Sequence, residues 1–458
     1  MYREHITCLL FSVLSFSQAK NEYAPDSPWP EGHGIFCQQS TDQASITTVE
    51  NIQLDRVIFG KSNDGWSPSG TIVSNKYSNG TYVCWGTNGK KIYKMIIDGN
   101  KTQVIFADKT RMGHKLVSGY WVMTKDHYCY FMSDWAIYVL KDTDIKNPYS
   151  EIELVATIPA GVLKTKGPGL DFMIGMKLLY NGQIVITTRK GKVALFNPKH
   201  GKIVHILDLG QKIQNNMAVE PGNFVYINTN KGTYQFQVND NTIEQRWFSK
   251  TFKSGSTPSL LDHGSDQLLV VTNEKNPLVL SALWRHEIPE DWEGLPGKVR
   301  RIAGEIEVDY GGSIPKPSKN SVLVNGNSIL VANWTGLWPY RKKDRPGLAR
   351  YYWNTKEKKF ERLWINPEIA LPNSMQALSR DSGLIYAVGR RKLNTGERFW
   401  TLEAIDWETG DSSWYFPLGT EKMNNPTGSG IQIGWNGDIV FMTPKAACRI
   451  FSLKNKDF

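Results

Sequence analysis

The residues best suited to chemistry in this chain fall in short polar stretches, each just ahead of an apolar run. One stretch carries Arg111, His114 and Lys115. Others carry Asp64 and Trp66, Lys166, Asn215 and Asn216, Lys253, Asn320, Asn373 and Asn424. Gathered on one rim, such ammonium, guanidinium and amide donors would hold a carboxylate, sulfate or phosphate, or the hydroxyls of a sugar. Carboxylates are scarce among them. His114 is the best-placed proton carrier, because neighbouring cations favour the neutral imidazole, as a lyase or hydrolase acting on an acidic glycan requires. The competing reading has the Asn residues capping strand ends and turns. Asp262 and His263 fall in a hairpin and read as solvated turn, and His127, at a strand entrance, reads as structural. The chain has no nucleophile elbow, P-loop, dinucleotide glycine fingerprint, calcium loop or His-Glu-x-x-His pair.

A repeat must position these residues. Between Thr71 and Leu453 the pattern of apolar strand, Gly/Asn/Asp turn and Val/Ile/Tyr-rich strand recurs eight times. It is clearest at Met176–Ile186, where Asn181-Gly182 separates two alternating apolar runs, and at Gly430–Phe441, where Asn436-Gly437 does so. Asn-Gly between such runs is a strong hairpin signal, and a period of roughly forty to sixty residues suits propeller blades. The fold expected is all-β: an eight-bladed β-propeller over 54–458, with seven blades as the rival count because Arg285–Pro296 interrupts the fifth unit. That stretch and a second excursion, Trp338–Gly347, read as surface loops. The last unit has room for three strands, so the strand at Leu54–Gly60 is expected to complete it and to remove an exposed sheet edge. Loops that join one blade to the next then converge on one end of the channel. The candidate rim residues, from Asp64 to Asn424, are expected in or at the ends of those loops.

The segment Ala404-Ile405-Asp406-Trp407-Glu408-Thr409-Gly410-Asp411-Ser412-Ser413-Trp414 resembles the repeat of the quinoprotein propellers, Ala-x-Asp-x-x-Thr-Gly-x-x-x-Trp. Asp406 and Thr409 are expected to tie the turn through side-chain to backbone bonds, Gly410 to permit it, and Trp414 to dock on the neighbouring blade. A decayed copy runs from Ala194 to Lys202. The resemblance implies an eight-bladed relative of that superfamily. It would also imply a quinone cofactor, PQQ, beside an adjacent Cys-Cys pair and acidic calcium ligands. This sequence has no neighbouring cysteines and few acids in the predicted ring, so PQQ is not expected and the cofactor stays open.

Arg3, an apolar stretch from Ile6 to Phe16, and Ser17 and Ala19 before Lys20 have the layout of a cleaved secretory signal over 1–19, followed by an extension over 20–53. A secreted or periplasmic protein is expected, with no membrane span. Cys37, Cys84, Cys129 and Cys448 remain after cleavage, enough for up to two disulfides or for buried free thiols. Asn79, Asn100 and Asn333 begin glycosylation sequons. The net charge of +10 favours an anionic partner. Dispersed basic residues on an exported chain argue against nucleic acid. The sequence thus points to a propeller that binds a polar or anionic small molecule, a glycan or a protein at one channel end, with glycan cleavage as the alternative.

Overall fold

The computed structural model describes residues 28–30, 40–59, 70–87, 91–107, 120–133, 135–251, 253–313, 315, 318–334, 344–392, 394–426 and 428–453. Eight antiparallel sheets follow one another along the chain, each with strands A to D in spatial order. Blade 1 is Gly70–Val73, Tyr82–Thr87, Ile92–Asp98 and Lys101–Phe106; blade 2 is Val122–Met123, Cys129–Ser133, Ala136–Asp142 and Ile152–Pro159. Blade 3 is Met173–Leu178, Ile184–Thr188, Lys192–Asn197 and Lys202–Asp208; blade 4 is Ala218–Glu220, Phe224–Asn228, Thr233–Asn239 and Thr242–Ser249. Blade 5 is Ser259–His263, Asp266–Thr272, Val279–Trp284 and Ile302–Glu307; blade 6 is Leu323–Asn325, Ser328–Ala332, Leu348–Asn354 and Lys359–Asn366. Blade 7 is Ala377–Ser379, Leu384–Lys392, Arg398–Asp406 and Ser412–Gly419, and blade 8 takes Gln432–Ile433, Ile439–Met442 and Ala446–Ser452 from the C-terminal end. Its strand D is Ile52–Ile58, paired from Ile52 opposite Ser452 to Ile58 opposite Ala446. The expected closure is therefore present, and the count is eight.

Strand direction alternates within a blade, which sorts the connections onto two faces. A–B and C–D turns open on one, here called the turn face. B–C turns and D–A loops open on the other, the loop face. The excursion Arg285–Pro296 joins strands C and D of blade 5, so it lies on the turn face, where Arg300 braces it through bonds to the carbonyls of Trp292, Pro289 and Glu290. It does not overhang the loop-face mouth. Most of the second excursion, Trp338–Gly347, lies outside the described residues.

The core lies between blades, where large rings fill the gap that two twisted sheets leave. Trp85 and Trp353 are fully buried, and the Trp353 indole donates to Asp266 of the adjoining blade at 2.8 Å. In the quinoprotein-like turn, Asp406 Oδ1 accepts from the N–H groups of Glu408 and Thr409 at 2.8 Å, and Thr409 Oγ1 accepts from Asp411 N. Gly410 has φ +78° and lies so close to the Trp364 ring that a Cβ would meet it at 2.5 Å. Trp414 packs in a cluster with Ile431, Ile433 and Phe441 of blade 8. Both the turn chemistry and the docking agree with the sequence pattern.

Residues 40–51 are not a free extension. Ser40–Thr41 pairs in parallel with Leu378–Ser379, on the axial side of strand A in blade 7. The chain then threads between blades 7 and 8: Tyr386 Oη bonds Ser45 Oγ at 2.8 Å and the Ile46 carbonyl, and the Trp414 indole donates to the Thr47 carbonyl at 3.0 Å. Cys84, Cys129 and Cys448 are buried free thiols, so no disulfide joins any of these three; Cys37 lies outside the described residues. Among the described residues no helix is long and apolar enough to cross a membrane.

Candidate functional site

Near the axis of the loop face, the predicted amides are bonded into the scaffold. Asn215 Oδ1 accepts from the Tyr120 hydroxyl, while its Nδ2 donates to the carbonyls of Gly255 and Lys319, each at 2.9 Å. These four residues lead into strand A of blades 2, 4, 5 and 6, and blades 2 and 6 are opposite each other in a ring of eight. Asn215 thus bridges the axial opening at this end. Asn216 Oδ1 accepts from Met176 N at 3.1 Å, Asn320 Nδ2 reaches the Ser374 carbonyl at 3.4 Å, Asn373 Nδ2 donates to Asn425 Oδ1 at 2.9 Å, and Asn424 Nδ2 donates to the Leu418 carbonyl at 2.9 Å. All four are buried. The amides hold neighbouring lead-in loops together, as turn-capping Asn residues do.

The cations are arranged differently. Glu274, in the B–C turn of blade 5, has a side chain only 6% exposed. It takes Lys253 Nζ at 2.8 Å and Gln214 Nε2 at 3.0 Å, with Lys319 Nζ at 3.8 Å. Lys319 also donates to Gln214 Oε1 at 3.1 Å. Two half-exposed ammonium groups share one buried carboxylate, so the cluster keeps a positive charge at its surface. Around blade 3, Lys190 and Lys192 donate to backbone carbonyls of the loop 160–171, and Lys164 and Lys166 on that loop are exposed. Lys212, Lys231, Lys250 and Lys275 add exposed cations in the loops and turns of blades 4 and 5. Between residues 160 and 280 this face offers only Asp171, Asp208 and Glu274 as acids, and Asp171 is occupied by the N–H groups of Thr165 and Lys190.

Several ionisable groups on the turn face are buried between blades. Asp438 accepts from Tyr82 Oη at 2.7 Å and from Arg449 at 2.9 Å. Asp142 binds Lys94, His127 and Tyr77, which assigns His127 the structural place expected of it. Glu220 accepts from Tyr226, Arg285 and His286. Burial raises its proton affinity, but the His286 bond, the Arg285 charge and the Tyr226 bond outweigh that and hold the carboxyl below the usual range. Asp262 is paired with Arg285 and His263 is exposed, so these two do not act together as an acid/base pair.

The predicted rim residues fall in different settings. Asp64, Trp66, Arg111, His114 and Lys115 lie outside the described residues. Lys166 and Lys253 are exposed on the loop face, whereas Asn215, Asn216, Asn320, Asn373 and Asn424 are bonded within the scaffold. Glu274, Gln214, Lys231 and Lys275 were not singled out. The signal that could have found Glu274, Lys231 and Lys275 is their position in B–C turns, which open on the same face as the D–A loops. Asn79 and Asn100 are exposed in turns of blade 1. Asn333 is not a usable sequon: it is 1% exposed and its amide donates to the Pro346 carbonyl, leaving no room for a glycan.

No protein-family model matches the chain. An uncharacterised protein of Archaeoglobus fulgidus is 26% identical, covering 92% of this chain and 86% of its own length. Among solved structures, the quinohemoprotein alcohol dehydrogenase of Comamonas testosteroni aligns with a TM-score of 0.56 at 11% identity, over 96% of this chain and 82% of that one. The computationally designed Ika8 protein aligns with a TM-score of 0.53 at 10% identity, over 85% and 97%. At such identities the likeness concerns shape. The chain is an eight-bladed β-propeller with the architecture of the quinoprotein propellers, and that architecture carries no activity with it.

Proposed function

We propose that this protein is an exported binding propeller whose loop face, over blades 3 to 5, takes an anionic ligand. The observation that supports it is the charge arrangement of that face, where exposed lysines surround a bridged axis and few acids are free to neutralise them. Glu274 holds Lys253 and Lys319 in place, so part of the cost of ordering long side chains is met before a ligand arrives. The ligand chemistry is a carboxylate, sulfate or phosphate presented on a sugar or another flexible carrier, since lysine acts as a point charge rather than as a planar fork.

The test is a thermal-shift panel of sulfated sugars, phosphates and carboxylates at low salt. A binder at about 100-fold excess over its Kd stabilises by about 2.7 kcal/mol, and the effect should fade in high salt. Lys253→Ala should reduce the shift. If no anion raises the midpoint, the reading fails.

A further inference from the structure

The three most exposed large apolar side chains among the described residues are Leu170, Ile58 and Val162, at 75%, 61% and 59%. All three are on the loop face: Val162 and Leu170 in the loop between blades 2 and 3, Ile58 at the end of strand D in blade 8. A single exposed Leu is ordinary. Here two protrude from one short loop that the structure braces and that lysines surround. Lys192 Nζ donates to the Val162 carbonyl at 3.0 Å, and Lys190 Nζ to the Gly167 carbonyl at 3.0 Å. Asp171 ties Thr165 N and Lys190 N across the base of the loop. Gly167 and Gly169, at φ +104° and +86° around Pro168, turn the chain sharply just before Leu170.

The turn face supplies a contrast. Its exposed apolar residues include Ile145 and Tyr149, which sit among Asp144, Glu151 and Asp98; the Tyr149 hydroxyl donates to Asp98 at 2.9 Å. Lys146 adjoins Ile145, and Val299, 38% exposed on the same face, stands between Lys298 and Arg300, but neither segment carries two apolar tips as exposed as Val162 and Leu170. On the loop face, apolar tips and cations lie side by side, the combination that holds a protein at an anionic lipid surface without spanning it. We infer that the loop face docks on the surface of an anionic bilayer, with Val162 and Leu170 entering the headgroup region and the surrounding lysines resting on lipid phosphates. This rests on reading that face as the anion-binding one, and it specifies the occupant as a membrane rather than a soluble polyanion.

The experiment is co-sedimentation of the full chain with phosphatidylcholine vesicles, with and without about one third phosphatidylglycerol, at low and high salt. The expected result is binding to the anionic vesicles only, lost at high salt. The charge-neutral double variant V162S/L170S should partition at least tenfold less, with an unchanged melting midpoint and an unchanged thermal shift by a soluble sulfated sugar. Equal binding to neutral and anionic vesicles, or a double variant that sediments like the parent, overturns the inference. If soluble anions raise the midpoint while neither vesicle binds, the membrane occupant is wrong and the wider anion-binding reading survives. If neither soluble anions nor vesicles bind, both fall.

Discussion

The two faces of the ring are made by the same repeat, yet the turn face at several blade junctions and the loop face over blades 3 to 5 use charge differently. On the turn face, acids are drawn between blades and satisfied there: Asp142 by Lys94, His127 and Tyr77, Asp438 by Tyr82 and Arg449, Asp266 by Trp353 and Lys358. On the loop face over blades 3 to 5, Asn215 bridges the axis and lysines remain at the surface. A charge in the first setting fixes how one blade registers against the next. A charge in the second is free to meet a partner. In this propeller, burial separates structural ionisable groups from candidate binding groups better than residue type does.

Mutations should break this contrast most visibly at the latches. Asp142→Asn leaves the buried Lys94 ammonium without its counter-charge and should cost about 3–5 kcal/mol, read as a lower urea midpoint. Trp353→Phe removes the indole donor to Asp266 and should cost roughly 1–3 kcal/mol. On the loop face, Lys253→Ala leaves Glu274 with Lys319 and Gln214 and should cost only about 0.5–1 kcal/mol, while weakening the anion-induced thermal shift. Equal costs on the two faces would erase the distinction.

Acid should reveal the latches as well. The Glu220 carboxyl is held below its ordinary value, so its contribution is fully present above about pH 4.3 and is lost as pH falls through the lower folded value. Glu220→Gln should lose stability at neutral pH, and its deficit relative to the parent should shrink on acidification; a deficit that is constant with pH would contradict the assignment. The smallest effect concerns the thiols. Burial pushes Cys448 up to about 11 despite the nearby Arg56 charge, and Cys84 and Cys129 are also buried. Peptide mapping after treatment with a thiol reagent should find these three labelled only in the unfolded protein.

The fold was legible because its signals are local. Asn181-Gly182 and Asn436-Gly437 announce hairpins, and Asp406, Thr409 and Gly410 write a turn into a few consecutive residues. Closure by the early strand followed from counting strands. The site was harder because its contacts are distant in sequence: Gln214 meets Glu274 across 60 residues, and Asn215 meets Lys319 across 104. Nothing near Asn215 distinguishes an amide that bridges an axis from one that greets a ligand. Asn333 likewise has the same sequon chemistry as Asn79, and only its burial beside Pro346 separates them.

Hydrogen–deuterium exchange of the parent protein with and without a sulfated oligosaccharide, at low salt, reads both faces at once and so decides whether the loop face is the one that binds anions. The account predicts slowed exchange in 160–171, 189–192, 212–216 and 250–255, with 262–266 and 286–300 unchanged. Protection confined to those turn-face segments, or none anywhere under conditions where binding is saturated, would contradict it.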